Sequence, residues 1–235
     1  MPDFLSNSSY GEDAMLLGLM DRLKSMSQTD TFAYSTYMDI GCYHPVIDNN
    51  TAFLYQGGWR GTLVDPNPAV KSEIEKYRPQ DLFLQVAVTA DASINELMIF
   101  NDANSMNSMD KVFVERAQKA NDVEIIKILK VESITIDEAF QKHIDRFGSA
   151  PSVVNIDVEG MDYDVITSFS FKYRPLFIII EDEILGSFEG SKLKLFMESK
   201  DYAIVSANFL SGIYIDKQNI MYSNIKKIGY HDKIV

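Results

Sequence analysis

The sequence predicts an α/β fold: a mostly parallel sheet with helices on both faces, closed by an antiparallel hairpin at its end. Three observations predict it. Short apolar runs of strand length alternate with stretches of helical period along the chain. The last two runs, in "DYAIVSANFLSGIYIDK", are separated by too few residues for a parallel crossover, so they must pair antiparallel. The composition, 46% hydrophobic and 24% charged over 235 residues, suits one domain with a substantial core.

Taken in order, residues 1–35 form an N-terminal helical segment of the single domain 1–235. Strands are expected at Tyr37–Ile40, Thr62–Val64, Leu82–Val88, Leu97–Phe100, Val153–Ile156, Leu176–Ile180, Ala203–Ser206 and Gly212–Ile215. Helices fit between them. In "NPAVKSEIEKY", Asn67 caps a helix that has Pro68 at its first position. In "TIDEAFQKHI", Thr135 and Glu138 have the spacing of a capping box. Residues 101–130 are polar and weakly periodic, and are expected to be a mobile insertion.

Charge narrows the partners. A formal net charge of −12 and no basic patch disfavour nucleic acid and anionic lipid. The start of the chain lacks the pattern of a signal peptide, and no run approaches the roughly 20 apolar residues of a membrane span, so no membrane insertion is expected. Cys42 is the single cysteine and can form no intrachain disulfide, which together with these features suggests a cytoplasmic protein.

The first strand and its turn, "YMDIGCYHPVIDNNTAFLYQGGWRGTLVDPNP", carry the binding signal. Ligands of open parallel sheets sit beyond the carboxyl ends of the strands, where strand order reverses. A pyrophosphate-binding turn needs several glycines, and this one offers only Gly41. S-adenosylmethionine carries no phosphate. It needs a close backbone approach, which Gly41 allows, an acceptor for its amino group, which Asp39 supplies, and an acid for its ribose, which Asp65 supplies. Asn50 and Thr51 would open the next helix toward the methionine carboxylate. Turn and cap roles would explain the same residue types.

These blocks, with "VVNIDVEGMDYDVI" and "KYRPLFIIIED" in the same order, resemble the FkbM family of S-adenosylmethionine-dependent methyltransferases. The likeness extends through "SYGEDAMLL", "ITIDEAF" and "YAIVSANFLSGIYID" and covers most of the chain. It implies a class I methyltransferase-like, Rossmann-like fold and O-methylation of a hydroxyl on a sugar, glycan or glycosylated metabolite. It also implies that Cys42, Asn67, Ala87 and Asp157 join Asp39, Gly41, Asn50, Thr51 and Asp65 around the cofactor. Cys42 stands where a smaller residue is usual.

Candidates for the chemistry are Asp157, Glu159 and His44, any of which could receive a proton or orient the acceptor. Asp157, Glu181 and Asp182 end neighbouring strands and could hold magnesium or manganese. Carboxylates at strand ends also cap loops, and a histidine before proline also packs or caps. His143 and His231 are expected in solvent. Trp59 and Arg60 are expected to pack the core with an ion pair rather than to stack on a sugar. Two other functions remain open: a nicotinamide-dependent oxidoreductase, and a non-catalytic module of the same fold.

Overall fold

Four apolar runs, residues 36–40, 61–64, 153–156 and 177–180, are buried along their length, as strands of a parallel sheet covered by helices on both faces are, and a fifth, Leu82–Leu84 at the sheet's edge, is half-buried. The computed structural model describes residues 6–26, 32, 35–100, 105–121, 123–182, 191–219 and 221–223. After α1 (Glu12–Met26) come β1 (Thr36–Ile40), α2 (Ala52–Gln56), β2 (Arg60–Val64), α3 (Lys71–Tyr77) and β3 (Leu82–Leu84). β4 (Ala87–Val88), β5 (Glu96–Ile99), α4 (Lys111–Asn121), β6 (Lys127–Lys130), β7 (Ser133–Ile134) and α5 (Ile136–Phe147) follow. The last third holds β8 (Val153–Ile156), α6 (Asp162–Ser168), β9 (Phe177–Glu181), α7 (Lys192–Ser199), β10 (Tyr202–Ala207) and β11 (Ser211–Asp216).

The main sheet has seven strands in the order β10-β11-β9-β8-β1-β2-β3. The β3, β2, β1, β8 and β9 ladders are parallel, β11 is antiparallel to β9, and β10 closes the hairpin. This is the class I methyltransferase arrangement the sequence predicts. Alternate residues divide between two cores. Met38, Ile40, Val154, Ile156, Ile178 and Ile180 face Phe140, Val165 and Leu193 of α5, α6 and α7. Tyr37, Leu63, Val153, Phe177 and Ile179 join Leu16, Leu19 and Leu23 of α1.

Two expected strands take different partners. The run Leu82–Val88 divides: Leu82–Leu84 extends the main sheet, and Ala87–Val88 leaves it to pair in parallel with β7. Leu97–Phe100 becomes β5, which pairs antiparallel with β6 outside the main sheet. Apolar pattern alone does not name a strand's neighbour. Within the stretch expected as an insertion, α4 and β6 are regular elements, and Val114 and Ala117 pack with Met98 and Phe100.

One buried polar network joins the strands to the loop that follows β1. Parallel register sets Asp39 of β1 beside Asn155 of β8, and the Asn155 Nδ2 donates to Asp39 Oδ1 at 2.9 Å. The other Asp39 oxygen accepts from Asn49 Nδ2 at 2.9 Å and from Thr51 Oγ1 at 2.7 Å. Arg78 reaches in from the end of α3, donating to Asn49 Oδ1 and Thr51 Oγ1, each at 3.0 Å. Its Nε pairs with Asp81 at 2.7 Å, with both side chains shut off from water. Tyr37 donates to the same Asp81 oxygen at 2.5 Å, with its ring against Gly61, where any side chain would overlap it.

Gly41 is constrained by packing as much as by a ligand. Its φ is +81°, and an added Cβ would overlap the backbone carbonyl oxygen of Asp157. The close backbone approach expected toward a cofactor is therefore made first to β8, where Asp157 N donates to Ile40 O at 3.0 Å. Gly41→Val should consequently cost about 2–3 kcal/mol of stability from backbone strain and overlap and lower the melting temperature of the ligand-free protein by roughly 5–10 °C. A variant that melts with the wild type would contradict this.

Candidate active site

β1 leads to β2 and β3 on one side and, later in the chain, β8 and β9 lie on the other, so strand order reverses between β1 and β8. A cavity of about 440 Å³ opens at the carboxyl ends of these strands. Gly41, Asp65, Asp157 and Glu181, the residues that follow or end β1, β2, β8 and β9, line it. Its wall is completed by Tyr10 and Glu12 before and within α1, by Leu210 and Ser211 of the terminal hairpin, and by residues 105–109 and Phe113.

On the β2 side, Asp65 is buried and its carboxylate accepts from the amides of Tyr43 at 2.9 Å and Asn67 at 2.8 Å. Burial pushes its pKa up to about 7 despite those two amides, and the charge of Asp39 adds to the rise. Asn67 also lines the cavity, and its side chain accepts from Ala69 N at 3.0 Å as it caps the 3-10 turn begun by Pro68. Val64, Val70, Val86, Ala87 and Val88 form an apolar wall beside Asp65.

On the β8–β9 side, Asp157, Asp162 and Glu181 each bring a carboxylate oxygen within 4.8 Å of the others. Burial raises the pKa of Asp157, and the charges of Asp39 and Glu12 raise it further, while a hydrogen bond with Glu181 opposes them. Asp162 and Glu159 are raised by burial first and by the charge of Asp157 second. Asp162 also closes the loop before α6, accepting from Val158 N at 3.0 Å and Gly160 N at 3.3 Å.

Several expected site residues lie elsewhere. Asp39 does not reach the cavity, because both its oxygens are taken by Asn49, Thr51 and Asn155. Thr51 is buried with it. The Cys42 side chain packs in the α1 core, leaving only its carbonyl to Asn49. Asn50 does line the cavity and donates to Asn155 at 3.0 Å, but the α2 it was expected to open is only five residues long. His44 lies off the cavity, its Nδ1 accepting from the amides of Val46 and Ile47 at 3.1 and 2.9 Å, which is the geometry of a loop cap. Asp182, the residue just after β9, is buried off the cavity, where it accepts from Ser191. Asp162 replaces it in the acidic cluster.

Outside the cavity, His143 is fully buried between Thr36 and Thr62, with ring nitrogens 2.9 and 2.8 Å from their hydroxyls. Trp59 stacks near Phe32, and Arg60 lies 4.5 Å over the Tyr55 ring and donates to Gln80 rather than to a carboxylate. His231 lies outside the described residues.

The wall from Ser105 to Phe113 is the part sequence reading missed, since no motif marks it. The signal available was Met106, Met109 and Phe113, apolar residues in an otherwise polar stretch. Asp162 had a clearer one, an acid two residues after Gly160 at the start of a helix.

Among the described residues, the cavity wall contains six carboxyl groups, from Glu12, Asp48, Asp65, Asp157, Glu159 and Glu181, and no lysine, arginine or histidine. Because Asp65 has an ordinary value of 3.8 when unfolded and about 7 when folded, the folded chain holds the extra proton between those limits. Its contribution to stability is present below about pH 4 and is lost as pH rises through about 7. Melting curves from pH 5 to pH 8 should therefore show Asp65→Asn gaining on the wild type as pH rises. A constant difference across that range would contradict the assignment.

The Methyltransferase FkbM domain model matches residues 39–204, which run from the end of β1 into β10 and span well over half of the chain. Searches of curated proteins and of solved structures each find no match. With the sheet order, the cavity at its reversal point and this match together, the chain belongs to the FkbM family of S-adenosylmethionine-dependent methyltransferases.

Proposed function

We propose that the protein transfers the methyl group of S-adenosylmethionine to a hydroxyl of a sugar, glycan or glycosylated metabolite in the cytoplasm, acting as one domain over residues 1–235. The observation that carries the reading is the acidic cavity at the strand-order reversal. Its residues fit the cofactor. Asp65 at the β2 end suits the ribose hydroxyls, with Asn67 beside it, and the wall of Val70, Val86, Ala87 and Val88 suits a flat base. A wall whose described residues carry carboxyl groups and no cationic side chain suits a sulfonium and an ammonium, and opposes the pyrophosphate of a nicotinamide cofactor.

Methyl transfer needs the acceptor oxygen in line with the carbon–sulfur bond, which breaks as the carbon–oxygen bond forms, leaving a neutral thioether. The hydroxyl proton must also leave. Asp157, on the cavity wall and with its pKa raised toward neutrality by burial, is placed to take it. Asp157, Glu181 and Asp162 also fit a hard divalent ion such as magnesium or manganese, since three carboxylate oxygens converge. Such an ion would supply Lewis acidity to the acceptor oxygen.

Calorimetry should show that S-adenosylhomocysteine binds and that Asp65→Ala weakens it tenfold or more, the loss of about 1.5–3 kcal/mol expected for charge-assisted hydrogen bonds. Unchanged affinity in the folded variant would remove the ribose role. Exhaustive chelation should abolish transfer and leave S-adenosylhomocysteine affinity unchanged, with Glu181→Gln also depressing turnover. Full activity in metal-free protein would remove the ion and leave Asp157 as the proton acceptor.

A further inference from the structure

Glu159 is the one cavity carboxylate the preceding roles leave without work. Asp65 is bonded to two backbone amides, and Glu12 accepts from Asn208 Nδ2 at 2.7 Å and Ser211 Oγ at 3.1 Å. Asp48 is exposed to water, and Asp157 and Glu181 share the cluster with Asp162. Among the described residues, the carboxylate of half-buried Glu159 has no hydrogen-bond or ion-pair partner.

The backbone holds that carboxylate where it is at a cost. Glu159 has a φ of +54°, a left-handed conformation that glycine or asparagine would adopt more readily. Its carbonyl accepts from Ser108 Oγ at 2.7 Å, which fixes the loop against the 105–113 wall. Such a strained, non-glycine position whose side chain lines a cavity points to a role for that side chain. The same cavity wall carries Met106, Met109, Phe113 and Met161, an apolar and aromatic surface, with Phe113 packed beside Gly160, and among the described residues the wall has no basic side chain. An aromatic face, adaptable thioethers and one unpaired carboxylate are complementary to an alkylammonium group.

Charge leads the same way. Six carboxyl groups line the wall, and burial pushes Asp65, Asp157 and Glu159 toward their protonated forms, so a cation in the ligand favours their charged forms where an anion would oppose them. A phosphorylated, carboxylated or nucleotide-linked acceptor would add negative charge to a site already short of counter-charge.

We infer that the acceptor is an amine-bearing polyol, an amino sugar or aminocyclitol, whose protonated amine is held by Glu159 while a neighbouring hydroxyl is methylated. The inference rests on the methyltransferase reading of the same cavity. The amine is a recognition handle and not the nucleophile: the hydroxyl oxygen gains the methyl and loses its proton, and the ammonium keeps all of its own.

The test is a panel of oligosaccharides and aminocyclitols, each in free-amine, N-acetylated and phosphorylated form, with methyl transfer read by mass gain and position by fragmentation. The wild type should methylate a hydroxyl of free-amine members at least tenfold more efficiently than their N-acetylated forms, and leave the phosphorylated forms untouched. Glu159→Gln should erase that preference by raising KM for the free-amine forms, with S-adenosylhomocysteine affinity unchanged. Equal or better use of N-acetylated or phosphorylated members, rejection of every free-amine member, methylation on the nitrogen, or a preference that survives Glu159→Gln would overturn the inference. If S-adenosylhomocysteine itself fails to bind the wild type, the methyltransferase reading of the cavity falls instead.

Discussion

The site depends on how the chain satisfies one buried carboxyl group, that of Asp39, beneath its floor. A buried carboxylate is tolerated only when its lone pairs are filled and a counter-charge is near. Asp39 has three side-chain donors, from Asn49, Thr51 and Asn155, and the Arg78 guanidinium stands behind two of them. Each partner comes from a different part of the chain: β8, the loop after β1, and the end of α3. Satisfying one charge therefore fixes the relative position of the strands and loop from which the cavity is built. Networks of this kind are cooperative, since each donor removed leaves an acceptor stranded in a low dielectric.

Two kinds of acid emerge, and they do opposite jobs. Asp39 and Asp81 have Arg78 close by and serve the fold. Asp65, Asp157 and Glu159 line a cavity with no basic side chain among the described residues, and burial raises the pKa of each. A carboxylate short of counter-charge in the protein is one that gains from a cation in the ligand. The same wall thus favours a sulfonium cofactor, disfavours phosphate and shapes the choice of acceptor.

Much of this was legible in the sequence. Strand-length apolar runs and the short final connection gave the parallel sheet and its hairpin, and the Thr135 capping box formed as read. Asp65, Gly41 and Asp157 were placed at the cavity because strand ends are visible as the last apolar residue before a turn. Direction and partner were less legible. The sequence expects Asp39 beside the ligand, whereas in the structure its two oxygens accept from Asn49, Thr51 and, far along the chain, Asn155. The pair Glu181–Asp182 looked like two ligands, yet Glu181 at the end of β9 lines the cavity while Asp182 after it accepts from Ser191. His143 looked solvated because its two threonine partners are distant in sequence. The 105–113 wall has no motif, and its role came only from folding back over the β8 loop.

The most direct test of the account is a crystal structure of the S-adenosylhomocysteine complex. The account predicts ribose hydroxyls on the Asp65 carboxylate, a ligand in the cavity between Gly41 and the 105–113 wall, and Asp39 still bonded to Asn49, Thr51 and Asn155 without touching the ligand. A ligand atom hydrogen-bonded to an Asp39 carboxylate oxygen, with those three side chains displaced, would contradict it.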